Sequence, residues 1–168
     1  KWKAVVDKYR QEHEIVGIGV SFPGHINHHT GEAAKAGALD YLDGENLCEL
    51  FAQLTDLPVT TENDANCAAL GERWQGAGKD YEHFVCITIG TGIGGAIFCN
   101  NQLVHGARFR AGEFGYMQTA RPGTRDVRRY SMNENCTLRV LRHRYAEHIG
   151  KALDDVTGEE IFDRYDAG

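Results

Sequence analysis

The chain has 168 residues and a mass of 18.7 kDa, with 24 acidic against 18 basic side chains and a formal charge of −6. That length allows one domain or two small lobes around a real core, and 42% apolar, 25% charged and 10% aromatic residues exclude a disordered tail. The mild acidity argues against a general nucleic-acid binder, and no run of apolar residues is long enough for a membrane span.

Charged residues punctuate the stretch from Lys1 to Asp7, so no signal peptide is expected and the cytoplasm is the expected location. Residues 2–13 read as an amphipathic helix with Trp2, Val5, Val6 and Tyr9 on one face. Ile15 to Phe22 is a β-branched run ending in Pro23 and Gly24, which predicts a buried strand entering a turn. His25 to Ala34 is polar, a loop or a small hairpin. Leu47, Leu50, Phe51, Leu54 and Leu57 recur at helical spacing until Pro58 stops them. A short strand over Val59–Glu62 and a helix over Asp64–Trp74 follow.

Phe84–Ile89 and Ala96–Cys99 read as strands joined through the glycine-rich run 90–95, and Asn100-Asn101 as a second tight turn into Gln102–Val104. Residues 105–130 are irregular. A helix over 137–149 carries Leu138, Leu141, Tyr145 and Ile149 on one stripe, and a last helix runs from Glu159 to Tyr165. Helices alternating with strands, followed by a glycine-linked hairpin, make the chain α/β. The five cysteines, at 48, 67, 86, 99 and 136, are odd in number and widely spaced, which fits reduced thiols rather than disulfides or a Cys-x-x-Cys zinc site.

Three places can carry chemistry. Asp64 stands where a strand ends and a helix starts, the position at which α/β sheets gather ligands; position alone favours a helix cap over a catalytic base. The run Ile89–Gly95 can converge backbone N–H groups and the Thr91 hydroxyl on phosphate oxygens. It is not a Walker loop, because no Gly-Lys-Ser/Thr follows it, and a structural hairpin is an equal reading. Glu113 lies between Gly112 and Phe114-Gly115, so its carboxylate is open to a small polar ligand, although a surface glutamate is the commoner case. His25, His28 and His29 could chelate a metal, but no carboxylate lies near them in sequence and they read as solvated. Nine arginines over residues 108–144 could steer an anion; most of them read as a solvated face.

In this order the pieces are far more specific than any one alone. Ile18–Gly24, then Leu57–Glu72 with its Glu62-Asn63-Asp64-Ala65-Asn66 core, then Ile89–Gly95, then Ala111–Gly115 closely resemble the ROK family (repressors, open reading frames, sugar kinases) over nearly the whole chain. The resemblance implies part of an actin-like, ribonuclease-H-like sugar kinase fold with two lobes, residues 1–63 belonging to the smaller and 64–168 to the larger. It implies transfer of phosphate from ATP, with Mg²⁺, to a hydroxyl of a hexose or hexose derivative. Asp64 would be the general base, Asn63, Glu113 and Gly24 would contact the sugar, and Thr91 and Gly92 would lie near the ATP phosphates. The alternative within the same family is a sugar-sensing repressor that needs no catalysis. Sugar and ATP are then the partners and a homodimer is compatible. No membrane is implied, and DNA only if a further domain precedes this segment.

Many family members carry zinc on the histidine after Gly-Glu-x-Gly and on a cysteine-rich stretch. Here Tyr116 replaces that histidine and Cys136 is the one cysteine between 117 and 150. No structural zinc is therefore expected, and the sugar contact that the resemblance implies for that histidine is either made by Tyr116 or lost. Zinc-free relatives include kinases acting on β-glucosides and on N-acetylmannosamine. The family's opening Asp-x-Gly-Gly-Thr loop is not in the sequence, so the segment is expected to be the middle of a longer protein, with half the phosphate machinery and little turnover by itself.

Overall fold

A computed structural model describes residues 2–120 and 127–167. Arg121, Arg125 and Asp126 of the arginine-rich stretch lie outside the described residues. The chain divides into two compact units: Lys1–Phe84 with Ile97–Ala111, and Val85–Ala96 with Gly112–Gly168.

The first unit is built around a parallel pair, β1 (Ile18–Phe22) and β4 (Val59–Asn63), in register from Ile18 opposite Val59 to Phe22 opposite Asn63. The strand expected from Ile15 starts three residues late for a chemical reason. Ile18 N–H donates to Pro58 O at 2.9 Å, and Pro58 has no N–H with which to extend the ladder. Residues 25–35 form the hairpin rather than the loop: β2 (His25–Asn27) pairs antiparallel with β3 (Glu32–Lys35). Phe22, Ile26, Ala33, Ala36 and Leu47 make the core here, with Val20, Leu39, Leu42 and Phe51 packed against it.

The first helix, α1 (Trp2–Tyr9), ends short of the expected residue 13. Just past it, the Arg10 guanidinium donates to Thr55 O at 3.1 Å and to Asp56 Oδ1 at 2.8 Å. Both acceptors close the helix α2 (Leu47–Thr55), which begins at an Asn46 cap. A cation suits the negative end of that helix dipole. Helix α2 stops two residues before Leu57 because Asp56 turns left-handed (φ 55°) and the residue preceding a proline disfavours helix. Helix α3 (Asp64–Gln75) follows β4 without a loop.

Strands β5 (Phe84–Ile89), β6 (Ile93–Cys99) and β7 (Gln102–Leu103) form a sheet in that order. The Asn100-Asn101 turn is as expected, with φ of 52° and 62°. Strand β6 begins three residues earlier than Ala96, so the glycine run is a short turn at 90–92 followed by strand. Ile93 and Ala96 are buried, and Gly95 leaves its backbone open to the chain that packs on it.

In the second unit, α4 (Met132–Asn135) is a short helix that the sequence pattern does not announce; Ser131 caps it. Helix α5 (Leu138–Ile149) is capped by Thr137, and α6 (Gly158–Asp166) by Thr157. Leu141 of the expected apolar stripe is exposed. Arg142 is not part of a solvated face: its guanidinium donates to Val156 O (2.8 Å) and Leu153 O (3.1 Å), tying the loop after α5 back onto the helix.

Candidate active site

The parallel register puts the carboxyl ends of β1 and β4 side by side, so Gly24 and Asn63 meet at one end of the pair. Asn63 Nδ2 donates to Gly24 O at 2.9 Å. Gly24 has φ 100°, and a Cβ there would collide with Lys35 O and come within 2.7 Å of Gly37 N, so no other residue fits this turn.

Asn63, not Asp64, caps α3: its Oδ1 accepts the Asn66 N–H at 3.0 Å. This corrects the capping role that position alone assigned to Asp64. Asp64 is the first helical residue; it is exposed, and its one hydrogen bond among the described residues is Oδ1 accepting the Ala65 N–H at 2.9 Å. A carboxylate in the first turn is also favoured by the helix dipole. The side chain thus stands at the sheet's carboxyl end with an oxygen to spare for a substrate.

Glu62 is the residue that sequence reasoning quoted without giving it a role. Its Oε1 accepts from the Asn63 N–H (2.8 Å) and from Asn66 Nδ2 (2.9 Å), while Oε2 lies 2.8 Å from His105 Nε2. Burial pushes its carboxyl pKa up, but the hydrogen bonds from Asn66, His105 and Asn63 outweigh it, and the net shift is down. Glu62 therefore stays ionised and fixes the backbone and side chains on either side of Asp64. Alternation in β4 gives no clue to it, because Glu62 shares its phase with the exposed Thr60 while Thr61 is the buried residue; its partners come from α3 and from the segment after β7.

The second unit holds the other candidates. Thr91 and Gly92 form the exposed tip between β5 and β6. The tip is anchored below: Gly90 N–H donates to Gly92 O (2.9 Å), Leu138 N–H to Gly90 O (3.2 Å), and Ile93 N–H to Asn133 Oδ1 (2.7 Å). Thr91 borders a cleft of about 470 Å³ shared with Thr137, Arg139 and Arg144. The same lining carries the carboxylates of Glu134 and Glu147, so the cleft mixes hydroxyl and guanidinium donors that suit phosphate oxygens with acidic groups that do not.

Glu113 follows Gly112 and opens a single 3₁₀ turn, Phe114–Tyr116. The glycine before it serves close packing rather than openness: Gly112 has φ 80°, and a Cβ there would collide with Gly95 O and meet Ala96 Cα at 3.0 Å. Glu113 is half-buried as a result, not a free surface glutamate. Tyr116 is exposed and lines a cleft of about 300 Å³ with Ser131, Asn133 and Glu134. The structure thus groups Gly24, Asn63 and Asp64 in one unit, and Thr91, Gly92, Glu113 and Tyr116 in the other.

The chain is 63% identical over 152 residues to the β-glucoside kinase of Klebsiella pneumoniae, covering 90% of this chain and 51% of that protein. Among solved structures, the Lmo2764 protein of Listeria monocytogenes, a candidate N-acetylmannosamine kinase, superposes with TM-score 0.83 at 50% identity, over 98% of this chain and 57% of that one. A ROK family glucokinase from Streptomyces griseus in complex with glucose and AMPPNP superposes with TM-score 0.79 at 26% identity, over 98% and 58%. The chain spans about half the length of the curated relatives it matches. Its architecture is part of the actin-like ATPase fold of these sugar kinases. With the family match running from residue 3 to 164, the chain belongs to the ROK family.

Proposed function

We propose that the whole protein transfers the γ-phosphoryl group of ATP to a hydroxyl of a hexose or hexose derivative, of the glucose, β-glucoside or N-acetylmannosamine type. The single observation that carries this reading is the high identity to a β-glucoside kinase across a segment that includes Asn63-Asp64. In the proposed reaction Asp64 orients the sugar hydroxyl and accepts its proton as the oxygen–phosphorus bond forms and ADP leaves. Its exposed place on the first turn of α3 supports that role. The transition state is loose, so positioning carries most of the catalysis.

Asn63 and Gly24 hold the sugar on one side, Glu113 and Tyr116 contact further ring groups, and Thr91 with Gly92 donates to the nucleotide phosphates. Mg²⁺ bound with the nucleotide would neutralise phosphate charge. For the whole protein the two lobes are proposed to divide at 63/64, where β4 passes into α3; that boundary differs from the compact units of this segment, in which α3 belongs with β1 and β4. The zinc of the family's cysteine-rich type is proposed to be missing, because its histidine is Tyr116 and its cysteines are reduced to Cys136. Among the described residues no helix is long and apolar enough to cross a membrane, and the cytoplasm is the proposed compartment.

The test is ADP release by the full-length protein with ATP and Mg²⁺ over glucose, mannose, fructose, N-acetylmannosamine and cellobiose. Sugar-dependent release that disappears in Asp64→Asn is the expected result. Sugar binding without release on any of these sugars would instead assign the protein to the sensing branch.

A further inference from the structure

The histidines at 28 and 29 looked solvated because no carboxylate stands near them in sequence. The fold supplies one. The turn between β2 and β3 lies against the end of β4 and the segment after β7, so His28, Glu62 and His105 come together within the first unit. The His28 ring stacks on the His105 ring at 3.7 Å between centroids, His29 tilts against it at 3.9 Å, and the Phe109 ring meets it edge-on at 5.6 Å.

From this juxtaposition we propose that His28, Glu62 and His105 bind one divalent transition-metal ion of the zinc type. One ligand atom from each lies within 4.8 Å of the other two. A tetrahedral ion with bonds of about 2.0–2.2 Å places its ligands about 3.4 Å apart, so the Glu62–His105 pair, now hydrogen-bonded at 2.8 Å, opens, the widest pair closes by up to about 1.4 Å, and the stacked His28 and His105 rings turn to aim their nitrogens at one point. Two imidazole nitrogens and one carboxylate oxygen suit zinc and its neighbours, and discriminate against Mg²⁺, which takes oxygen ligands.

Two features favour occupancy. His28 Nδ1 is buried and has no hydrogen-bond partner among the described residues, an orphaned polar atom that requires an explanation. Glu62 Oε1 is already held by Asn63 and Asn66, which orients the carboxylate and turns Oε2 to the histidines. A bound ion would clamp the β2–β3 turn to the carboxyl end of β4, next to Asn63 and Asp64. The proposal does not depend on the kinase reading, and it is a different place and a different donor set from the cysteine-type zinc of other family members.

The experiment strips the full-length protein with chelator and titrates Zn²⁺ by calorimetry in the presence of millimolar Mg²⁺. One zinc per chain is expected. His28→Gln and His105→Gln should each weaken it by at least the ~10–100-fold that loss of even an outer-shell partner costs, while His29→Gln leaves it unchanged. Cobalt substitution should give d–d bands without sulfur-to-cobalt charge transfer, and X-ray absorption on the zinc-loaded wild type should show only nitrogen and oxygen neighbours, imidazole among them. That spectrum tests the site even where a variant fails to fold. No saturable zinc, affinity unchanged in both folded histidine variants, or a sulfur ligand would each overturn the proposal.

Discussion

Glu62→Gln is the substitution that most directly tests how the end of β4 is held. The wild-type carboxylate takes three contacts: Asn63 N–H at 2.8 Å, Asn66 Nδ2 at 2.9 Å and His105 Nε2 at 2.8 Å. Hydrogen bonds to a charged group are worth about 1.5–3 kcal/mol against about 1 for a neutral pair. Glutamine keeps the shape and can still accept from Asn63 and Asn66, so it forfeits the charge assistance and not the contacts. Losing about 0.5–1 kcal/mol at each of three bonds, with incomplete additivity, gives about 2 kcal/mol. That corresponds to ~30-fold in the local opening equilibrium. Hydrogen exchange of the full-length protein in chelator, which removes any metal contribution, is the assay. The amides of Asn63 and Asn66 should exchange ~30-fold faster, with residues of α5 unaffected if opening is local. Unchanged protection at both amides would refute the claim that Glu62 anchors this junction.

Other outcomes follow from the same geometry. Asp64→Asn in the full-length protein should cost ~10²–10⁴-fold in kcat, the usual worth of a positioned base, with sugar affinity by calorimetry nearly unchanged; unaltered turnover would remove Asp64 from the chemistry. Asn63→Ala removes the α3 cap and the tie to Gly24 together, so a stability loss at the upper end of about 0.5–2 kcal/mol is expected in urea unfolding, along with a raised KM for sugar. The Asp43 carboxyl is held below its ordinary value of 3.8 first by the hydrogen bond from Lys35 and then by the Ala36 N–H. Its stabilisation is therefore fully present above about pH 3.8 and is lost as pH falls through the lower folded value, so Asp43→Asn should flatten that limb of the acid-unfolding curve. Burial, only partly offset by Ser21, raises the Cys67 thiol pKa, so at pH 8 iodoacetamide should label the exposed Cys99 and Cys136 before Cys67, as read by peptide mass spectrometry.

Local physics was enough to read most of the elements. Strands β4 and β5 and helices α3 and α5 follow from hydrophobic period and from breakers such as Pro58, and the Asn100-Asn101 turn from the rarity of residues that tolerate φ above zero. Those signals lie within a few residues of what they specify. The order of motifs likewise identified the family, because each glycine and acid stands at a fixed distance from a recognisable element.

The tertiary structure decided what depends on partners distant in sequence. Asn63 rather than Asp64 became the helix cap because the parallel register with β1 brings Gly24 within reach of the Asn63 amide, which orients it for Asn66. Strand β6 runs on through Gly94 and Gly95 because Gly112 packs against its backbone, a contact that no local pattern encodes. His28 looked solvated in the sequence and lies beside Glu62 and His105 in the fold. Periodicity and propensity record what a residue does to its own neighbours along the chain; a hydrogen bond or a ligand set between separate elements depends on the register and packing that bring them together.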